Sequence, residues 1–321
     1  MRLFVTGGAG FIGSNFVRHA LEHSDDHITV FDALTYAGSR ANLPEDVEGR
    51  FEFVHGDIGD RDAVAAALPG HDAVVHFAAE SHVDRSLLDP DVFIRTNCLG
   101  TNVLCDEAVR AGVDRFLHVS TDEVYGSIDL GSFRETDRLE PRSPYAASKA
   151  ASDQIALAYH ATHGLPVVVT RSSNQFGPRQ FPEKLIPLFV TNLLDGRRVP
   201  LYGDGLNVRD WLFVEDNCEA LRLVLAEGEV GGIYNVAAGN ERTNRQVTDQ
   251  LLQLLGADAS MVEWVTDRQG HDRRYSVATD RIEALGWRPT RDFDDALAET
   301  VEFYRGNRSW WEPLRARVRN R

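Results

Sequence analysis

Short apolar runs alternate with longer stretches of helical periodicity through the first half of the chain. The runs predict buried strands at residues 3–5, 27–31, 51–55, 73–77, 115–119 and 166–171. The intervening stretches predict helices that begin near residue 9 or span 60–68, 90–111 and 144–163. Strands and helices that alternate at this length predict an α/β fold, a doubly wound parallel sheet with helices on both faces.

The pattern loosens after residue 171, where arginine, asparagine and glycine become frequent in the predicted loops. Helices are predicted at 183–194, 216–227, 243–255 and 293–304, and short strands near 199–202, 210–214 and 232–236. We therefore expect a sheet domain in residues 1–171 and a smaller α/β substrate domain in residues 172–321. The helix at 293–304 is expected to be the last, and the tail 315–321 to be a frayed, solvated end.

A glycine-rich turn follows the first predicted strand. Gly7 suits a tight turn, Gly10 lets the backbone approach a pyrophosphate, and Gly13 lets the next helix pack closely. Asp32 ends the second strand, 19 residues beyond Gly13, where a carboxylate accepts hydrogen bonds from ribose hydroxyls and repels a 2′-phosphate. The spacing predicts a Rossmann-type site for NAD. The alternative is a set of turn glycines followed by an unrelated surface Asp.

Composition narrows the class of protein. The chain has 321 residues, 43% of them hydrophobic, with no apolar run of 18 residues and no basic-then-apolar leader. We therefore expect a globular, cytoplasmic protein without a membrane span. Its three cysteines form no C-x-x-C pair, which favours packing residues in a reducing compartment and no metal site. The net charge of −15 disfavours nucleic acid as a partner, because a phosphate backbone would be repelled.

Candidate catalytic side chains follow the fifth predicted strand and open the next helix. Residues 120–123, Ser-Thr-Asp-Glu, lie at the carboxyl end of that strand, where ligands bind in such sheets. Tyr145 and Lys149 are one helical turn apart and share a face. We expect Lys149 and a positively charged nicotinamide to lower the pKa of the Tyr145 phenol, so that it takes a proton from a substrate hydroxyl. The alternative is a Tyr and a Lys on an exposed helix face.

The glycines at 7, 10 and 13, together with Tyr145-x-x-x-Lys149, resemble the extended short-chain dehydrogenase/reductase superfamily, whose members mostly act on nucleotide sugars. Longer strings resemble the dTDP-glucose 4,6-dehydratase family within it, at residues 32–38, 78–86, 120–126, 181–187 and 207–211. The resemblance implies an NAD-dependent lyase that converts dTDP-glucose to dTDP-4-keto-6-deoxyglucose. It implies that C4 is oxidised, that water leaves across C5 and C6, and that hydride returns to C6.

The same resemblance implies a role for each catalytic residue. Glu123 is the base at C5, Asp122 is the acid at C6, Thr121 hydrogen-bonds near O4 beside Tyr145, and Lys149 holds the nicotinamide ribose. Two carboxyls in different protonation states can divide this labour. Asp122 must then stay protonated, which requires burial or the Glu123 charge to raise its pKa. The alternative is that the acidic pair caps a helix or faces solvent.

The resemblance also implies the ligand contacts. Cofactor contacts are expected at Gly7, Gly10, Phe11, Ile12, Gly13, Asp32, Leu34, Thr35, Asp57, Ile58, Phe77, Ala78, Ala79, Ser81, Thr96, Tyr145 and Lys149. Substrate contacts are expected at Ser81, Thr121, Asn174, Lys184, Leu185, Pro200, Tyr202, Arg209, Asn244, His271 and Tyr275, and in the run 267–271. Two positions depart from the family pattern: Gln175 stands where Asn is usual, and Gln269 where Pro is usual.

Two other functions fit the same dinucleotide motifs. A nucleotide-sugar 4-epimerase oxidises C4 and returns hydride to the other face, and it needs no acid/base pair for elimination. A non-catalytic NAD-binding sensor needs neither Tyr145 nor Lys149. The predicted helices at 90–111 and 144–163 are apolar on more than one face, and in the superfamily such helices pack against a second subunit. We therefore expect a homodimer.

Overall fold

A computed structural model describes residues 1–45, 49–268 and 270–319. The strands are β1 (Arg2–Thr6), β2 (His27–Asp32), β3 (Phe51–His55), β4 (Ala73–His76), β5 (Arg115–Thr121), β6 (Val167–Ser172), β7 (Asn174–Phe176), β8 (Val199–Tyr202), β9 (Val208–Phe213), β10 (Ile233–Val236), β11 (Glu241–Thr243) and β12 (Val262–Val265). Seven of them form one parallel sheet in the order β10-β6-β5-β4-β1-β2-β3. This sheet confirms the predicted fold class.

Helices cover both faces of the large sheet. The helices are α1 (Phe11–His23), α2 (Arg61–Ala67), α3 (Val83–Leu88), α4 (Pro90–Phe93), α5 (Thr101–Ala111), α6 (Pro144–His163), α7 (Leu185–Leu194), α8 (Val214–Glu227), α9 (Asn244–Leu255), α10 (Asp280–Ala284), α11 (Phe293–Gly306) and α12 (Arg308–Arg319). On one face, α1 and α8 bury Phe16 and Leu221; on the other, α2, α5 and α6 bury Val64, Leu104 and Ala156. Within the described ranges, no helix combines the length and the apolar character needed to cross a bilayer.

The C-terminal part adds two small sheets and a second core. β7, β9 and β11 form one sheet, and β8 pairs with β12. Helices α7, α9 and α11 pack around these strands through Phe189, Leu251 and Leu297. The predicted division at residue 171 stays a prediction. Two elements from beyond it, α8 and β10, nevertheless pack on or join the large sheet.

The helix at 293–304 is not the last, so that prediction was wrong, and the prediction of a frayed tail was wrong for the residues up to 319, which are helical. α12 follows at once, and Trp311, Leu314 and Arg315 are buried. The Arg315 guanidinium donates to the Thr191 carbonyl at 3.0 Å and to the Asp195 carboxylate at 2.7 Å. Trp311 and Leu314 are three residues apart and face the core, while the long Arg315 side chain reaches polar partners. An arginine-rich stretch therefore forms a docked helix. Residues 320 and 321 of the predicted tail lie outside the described residues.

The predicted helix at 90–111 is present but irregular. Between α4 and α5 the chain runs as a π-helix at Ile94–Gly100, and Gly112 ends α5 with a φ of +68°. Asn97 lies on the π-helix, a form frequent at functional sites. Its Oδ1 accepts from the Glu80 amide at 2.8 Å, and its Nδ2 donates to Ser148 Oγ at 2.8 Å. The π-helix therefore ties the loop after β4 to α6.

Candidate active site

The predicted glycine turn lies between β1 and α1. Gly7 has a φ of +70°, and a Cβ there would lie 2.5 Å from the Ala78 amide nitrogen. A Cβ on Gly13 would lie 2.4 Å from the Gly7 carbonyl oxygen. For Gly10, the nearest atom to such a Cβ is the Gly7 oxygen at 3.3 Å. Gly7 and Gly13 therefore allow close packing within the chain, whereas Gly10 leaves space for a ligand at the start of α1.

Asp32 ends β2 beside this turn. Its Oδ2 accepts from the Ala9 amide at 2.9 Å, and its Oδ1 accepts from the Leu34 amide at 2.7 Å. Burial raises the pKa of the Asp32 carboxyl, and the two backbone hydrogen bonds oppose that rise. Leu34 has a φ of +50°, and Thr35 after it is exposed. Each carboxylate oxygen keeps acceptor capacity for a ribose hydroxyl.

The other predicted cofactor contacts lie along the same edge of the large sheet. They are Phe11 and Ile12 at the start of α1, Asp57 and Ile58 after β3, Phe77, Ala78, Ala79 and Ser81 after β4, and Thr96 on the π-helix. Asp57 is exposed, whereas Ile58 is buried. The carboxyl ends of parallel strands therefore bring these residues together where ligands bind in such sheets.

Thr121 ends β5 and caps a short 3₁₀ turn, Asp122–Tyr125, which carries the acidic pair. Its Oγ1 accepts from the Glu123 amide at 3.2 Å and donates to Asp122 Oδ1 at 3.3 Å. Asp122 is 2% exposed, and its Oδ2 has no hydrogen-bond partner among the described residues. Asp122 is therefore not a solvated side chain, and the cap of the turn is Thr121 rather than either acid.

Burial and charge separate the two carboxyls. The pKa of Asp122 is raised well above its usual range, first by burial and then by the Glu123 charge. Burial also raises the pKa of Glu123, but Lys184, Arg268 and Arg209 oppose that rise. The three cations therefore favour an ionised Glu123 beside a protonated Asp122. This is the division of protons that an acid and a base require.

Tyr145 lies near the acidic pair and Thr121. Burial, followed by the charges of the acidic pair, raises the pKa of its phenol, whereas a hydrogen bond with Thr121 lowers it. Lys149 is buried and its Nζ donates to the Val119 carbonyl at 2.9 Å. Lys149 is not among the groups that shift this pKa, because its ammonium is directed at the backbone of β5. The lowering predicted for Lys149 together with a nicotinamide stays a prediction. The alternative of an exposed helix face is wrong, since Lys149 is buried and Tyr145 is half-buried.

Positive charge faces the acidic pair from the C-terminal part. Arg209 on β9 and Lys184 before α7 both act on Glu123. The Arg209 guanidinium donates to the Asp272 carbonyl at 3.0 Å and lies 4.1 Å from the centre of the Tyr275 ring. The Tyr275 hydroxyl in turn donates to Asp272 Oδ2 at 2.7 Å. The planar guanidinium is thus held in place while it keeps further N–H donors for an anion.

Comparison with known proteins finds similarity over nearly the whole chain. Residues 4–300 match the family described as GDP-mannose 4,6 dehydratase. A dTDP-glucose 4,6-dehydratase from Streptomyces antibioticus is 55% identical, over 99% of this chain and 96% of that protein. The chain belongs to the dTDP-glucose 4,6-dehydratase family.

Solved structures of two kinds of enzyme are similar to this member of the dTDP-glucose 4,6-dehydratase family. DesIV from Streptomyces venezuelae, a dTDP-glucose 4,6-dehydratase with NAD and dTDP bound, is 59% identical with a TM-score of 0.96, over 98% of this chain and 100% of that one. The UDP-glucose 4-epimerase of Thermus thermophilus, in complex with NAD, is 34% identical with a TM-score of 0.89, over 96% and 100% of the two chains.

The remaining substrate contacts expected for the dTDP-glucose 4,6-dehydratase family lie in the C-terminal part. They are Asn174 on β7, Leu185 at the start of α7, Pro200 and Tyr202 on β8, Asn244 at the start of α9, and His271 after β12. The rings of Tyr202 and His271 are in contact, with centroids 6.3 Å apart. His271 Nδ1 also lies 2.6 Å from Asp267 Oδ1. Tyr202 and His271, which are far apart in the chain, are therefore neighbours in the structure.

Tyr36, Asp84 and Arg85 were not predicted as site residues, whereas Arg268 lies in the predicted run 267–271. Arg268 donates to Asp84 Oδ1 at 3.2 Å, which links the loop after β12 to α3. The Tyr36 hydroxyl donates to the Ser81 carbonyl at 2.6 Å, and the Arg85 guanidinium lies 3.6 Å from the centre of the Tyr36 ring. Tyr36 and Asp84 lie within the family strings at 32–38 and 78–86, and that membership is the signal that points to them.

Buried polar atoms without partners mark where ligands fit. Asn174 Oδ1, Gln175 Oε1 and Asn207 Oδ1 have no hydrogen-bond partner among the described residues. A buried polar group left unpaired costs about 1–3 kcal/mol, so donors from a ligand suit these atoms. With the open glycine turn, they fit NAD and a sugar nucleotide. Gln175 therefore still offers an amide oxygen, whereas Gln269 lies outside the described residues.

Proposed function

We propose that this chain is a dTDP-glucose 4,6-dehydratase that uses NAD and forms dTDP-4-keto-6-deoxyglucose. The observation that carries the proposal is the acidic pair, buried Asp122 and half-buried Glu123, at the carboxyl end of β5 beside Tyr145 and Lys149. A 4-epimerase needs no such pair for its chemistry. Membership of the dTDP-glucose 4,6-dehydratase family supports the same conclusion.

The first stage is oxidation at C4 of the sugar. NAD, when bound, supplies the acceptor and later the donor of a hydride, and a positive charge that favours a phenolate. Tyr145 takes the proton of the C4 hydroxyl, and Thr121 hydrogen-bonds near O4. Burial lowers the pKa of Lys149 to about 8, so its amine is mostly an ammonium near pH 7 and holds the nicotinamide ribose.

The second stage is elimination of water. The C4 ketone acidifies the neighbouring hydrogen, and Glu123 takes this proton from C5. The electron pair left on C5 forms the C5–C6 double bond, the C6–O bond breaks, and Asp122 protonates the departing hydroxyl. Glu123 returns its proton to C5 when C6 is reduced. The proton taken from the C4 hydroxyl balances the one that leaves with water, so the reaction loses water with no net oxidation.

Recognition of the substrate requires local positive charge. The chain carries a net charge of −15, so the diphosphate is not attracted by the molecule as a whole. Lys184, Arg209 and Arg268 face the acidic pair and supply cations on one side of the site. A planar guanidinium suits two phosphate oxygens, which favours Arg209 for the diphosphate.

The test is the Glu123→Gln variant with dTDP-glucose, followed by proton NMR of the C6 methyl doublet. The wild type is expected to form this signal, and Glu123→Gln to form it on the order of a hundredfold more slowly. Glu140→Gln, whose side chain is 62% exposed, is the matched control and is expected to keep the wild-type rate. Equal rates for Glu123→Gln and the wild type would rule out Glu123 as the base.

The same time course distinguishes the alternatives. Resonances of dTDP-galactose that grow without a methyl doublet would identify a 4-epimerase. Unchanged dTDP-glucose, with NAD binding intact, would identify a non-catalytic sensor.

We also propose a homodimer formed by the helical segments 90–111 and 144–163. Leu88, just before the first segment, and Ile94 and Leu99 within it are 85%, 52% and 53% exposed. Sedimentation at micromolar concentration is expected to give a dimer for the wild type and a monomer for Leu99→Asp. Leu130→Asp is the control, since Leu130 is 88% exposed in a distant loop. A monomeric wild type would contradict the proposal.

A cytoplasmic location is proposed as well. Cys98, Cys105 and Cys218 are free thiols, and burial raises the pKa of the Cys105 and Cys218 thiols. Free, protonated thiols suit a reducing compartment. Recovery of the protein in the cytoplasmic fraction of its source cells is the expected result.

A further inference from the structure

A buried polar cluster lies behind Lys149, on the side of α6 that faces the large sheet. Asp153 follows Lys149 by four residues and is 0% exposed. Its Oδ2 accepts from Arg171 Nε at 2.9 Å, and its Oδ1 lies 3.2 Å from His118 Nε2. The carboxylate thus joins α6 to β6 and lies against β5, whose His118 Nε2 is hydrogen-bonded to Ser152 Oγ of α6 at 3.2 Å. The reaction as derived above makes no use of it.

Arg171 extends the cluster away from the site. Its Nη1 donates to the Tyr125 hydroxyl at 2.8 Å, and that hydroxyl donates to Asn235 Oδ1 at 2.8 Å. Asp153, Arg171, Tyr125 and Asn235 are all 2% exposed or less. A buried ion pair is weak evidence for stability, because desolvation offsets much of the attraction. The Asp153–Arg171 ion pair is therefore explained more readily by a role in function than by a gain in stability.

The cluster sets the position of α6 relative to β5. Asp153 lies against His118, and the Lys149 ammonium donates to the carbonyl of Val119, the next residue of the strand. One turn of α6 is thus held at two consecutive residues of β5. Thr121 follows two residues later on the same strand, so the anchor also fixes the distance between α6 and the acidic turn.

The cluster also supplies the charge that faces the Lys149 ammonium. Burial lowers the pKa of His76 and of His118, and burial raises the pKa of Cys98, so these three groups are neutral at pH 7. Burial alone would raise the pKa of Asp153, but its neighbours hold it below the usual value and keep it ionised. Of the described groups that act on the ammonium, Asp153 is therefore the negatively charged one.

We propose that Asp153 is a positioning residue for Lys149: it anchors α6 to β6 through Arg171, packs against β5, and supplies the buried negative charge that keeps the Lys149 side chain an ammonium. Burial pushes this amine toward its neutral form, and the carboxylate one turn away opposes that effect. An ammonium holds a ribose oxygen more strongly than a neutral amine does.

The composition of the chain makes this proposal directly measurable. Lys149 and Lys184 are its only two lysines, so protein labelled with ¹³C at lysine Cε gives two side-chain signals, which Lys184→Arg assigns. In the wild type the Lys149 signal is expected to titrate near pH 8. In Asp153→Asn its midpoint is expected to fall by about one unit or more. The Lys184 signal is the internal control and is expected to stay in place.

Two further variants separate charge from packing. His118→Gln removes a neutral neighbour of Asp153, so the Lys149 midpoint is expected to stay unchanged. Asp153→Asn leaves Arg171 without its carboxylate, so Asp153→Asn/Arg171→Gln removes both charges and leaves no buried charge unpaired. It is expected to show the same fall in the Lys149 midpoint. An unchanged Lys149 midpoint in folded Asp153→Asn or in folded Asp153→Asn/Arg171→Gln would overturn the proposal. Failure of both of these Asp153 variants to fold would also overturn it.

An activity measurement adds a second readout, which rests on the proposed function. A fall of the midpoint from 8 to about 7 would reduce the ammonium fraction at pH 8 about fivefold, and product formation at pH 8 is expected to fall with it. The NMR titration needs no substrate. Failure of the proposed reaction would therefore leave the test of Asp153 intact.

Discussion

Two alanine substitutions in the glycine turn are expected to separate packing from cofactor binding. In Gly13→Ala the new Cβ would lie 2.4 Å from the Gly7 carbonyl oxygen and 2.8 Å from the Gly8 Cα. Both are backbone atoms, so α1 must move relative to β1. Such overpacking costs about 1–3 kcal/mol, and the better helix propensity of alanine returns about 1 kcal/mol. Because both contacts are with backbone atoms, we take the upper end of the overpacking cost and expect a net loss of about 2 kcal/mol and a Tm lower by about 4–8 °C.

Gly10→Ala is expected to behave differently. Gly10 has φ −77° and ψ −178°, which any residue adopts, and the nearest atom to its Cβ position lies 3.3 Å away. The fold is therefore expected to keep its Tm within about 1 °C without ligand, as expected for a change outside the packed core. The methyl group would occupy the space that a pyrophosphate needs at the start of α1. We expect at least about a tenfold loss of NAD affinity, which is about 1.4 kcal/mol.

Thermal unfolding with and without NAD measures both effects. NAD at a hundred times its Kd is expected to stabilise the wild type by about 2.7 kcal/mol, and Gly10→Ala by clearly less at the same concentration. Gly306→Ala is the control, because nothing lies within 4 Å of its Cβ position. A Gly10→Ala variant with wild-type NAD affinity would refute the role of Gly10, and a Gly13→Ala variant with wild-type Tm would refute the packing argument.

Two other substitutions test the acidic pair and the C-terminal helix. Folding raises the pKa of Asp122, so this carboxyl destabilises the folded state wherever it is ionised in the unfolded chain. The destabilisation is absent below the unfolded pKa of about 3.9 and grows as the pH rises above it. Asp122→Asn is therefore expected to raise the free energy of unfolding by about 1–3 kcal/mol near pH 7, and a pH-independent difference would contradict this. Trp311→Ala removes a side chain that is 1% exposed and is expected to lower the free energy of unfolding by about 3–5 kcal/mol, measured with urea. Trp264 is 53% exposed, so the control Trp264→Ala is expected to lower it by less than about 0.5 kcal/mol.

Patterns among near neighbours in the chain were enough to predict several features of the fold and of the cofactor site. The alternating runs predicted the six strands of the first half, because strand and helix periodicity are set by near neighbours. The spacing from Gly7 to Asp32 placed a turn and a carboxylate at adjacent strand ends, since parallel strands share their carboxyl edge. The same rule brought Thr121 to that edge. The resemblance, rather than any spacing, supplied the roles of Asp122 and Glu123.

Other features depend on contacts between segments that are far apart in the chain, and these could be seen only in the folded protein. β10 completes the large sheet from beyond residue 171, and α12 docks through Trp311, although the surrounding arginines resemble a solvated tail. The pKa of Tyr145 is raised because its surroundings exclude water and place the acidic pair beside it, and spacing within one helix carries no information about either effect. The Asp153 cluster likewise combines α6, β5 and β6. Burial and the identity of a buried partner follow from how elements pack, and no single stretch of sequence encodes that.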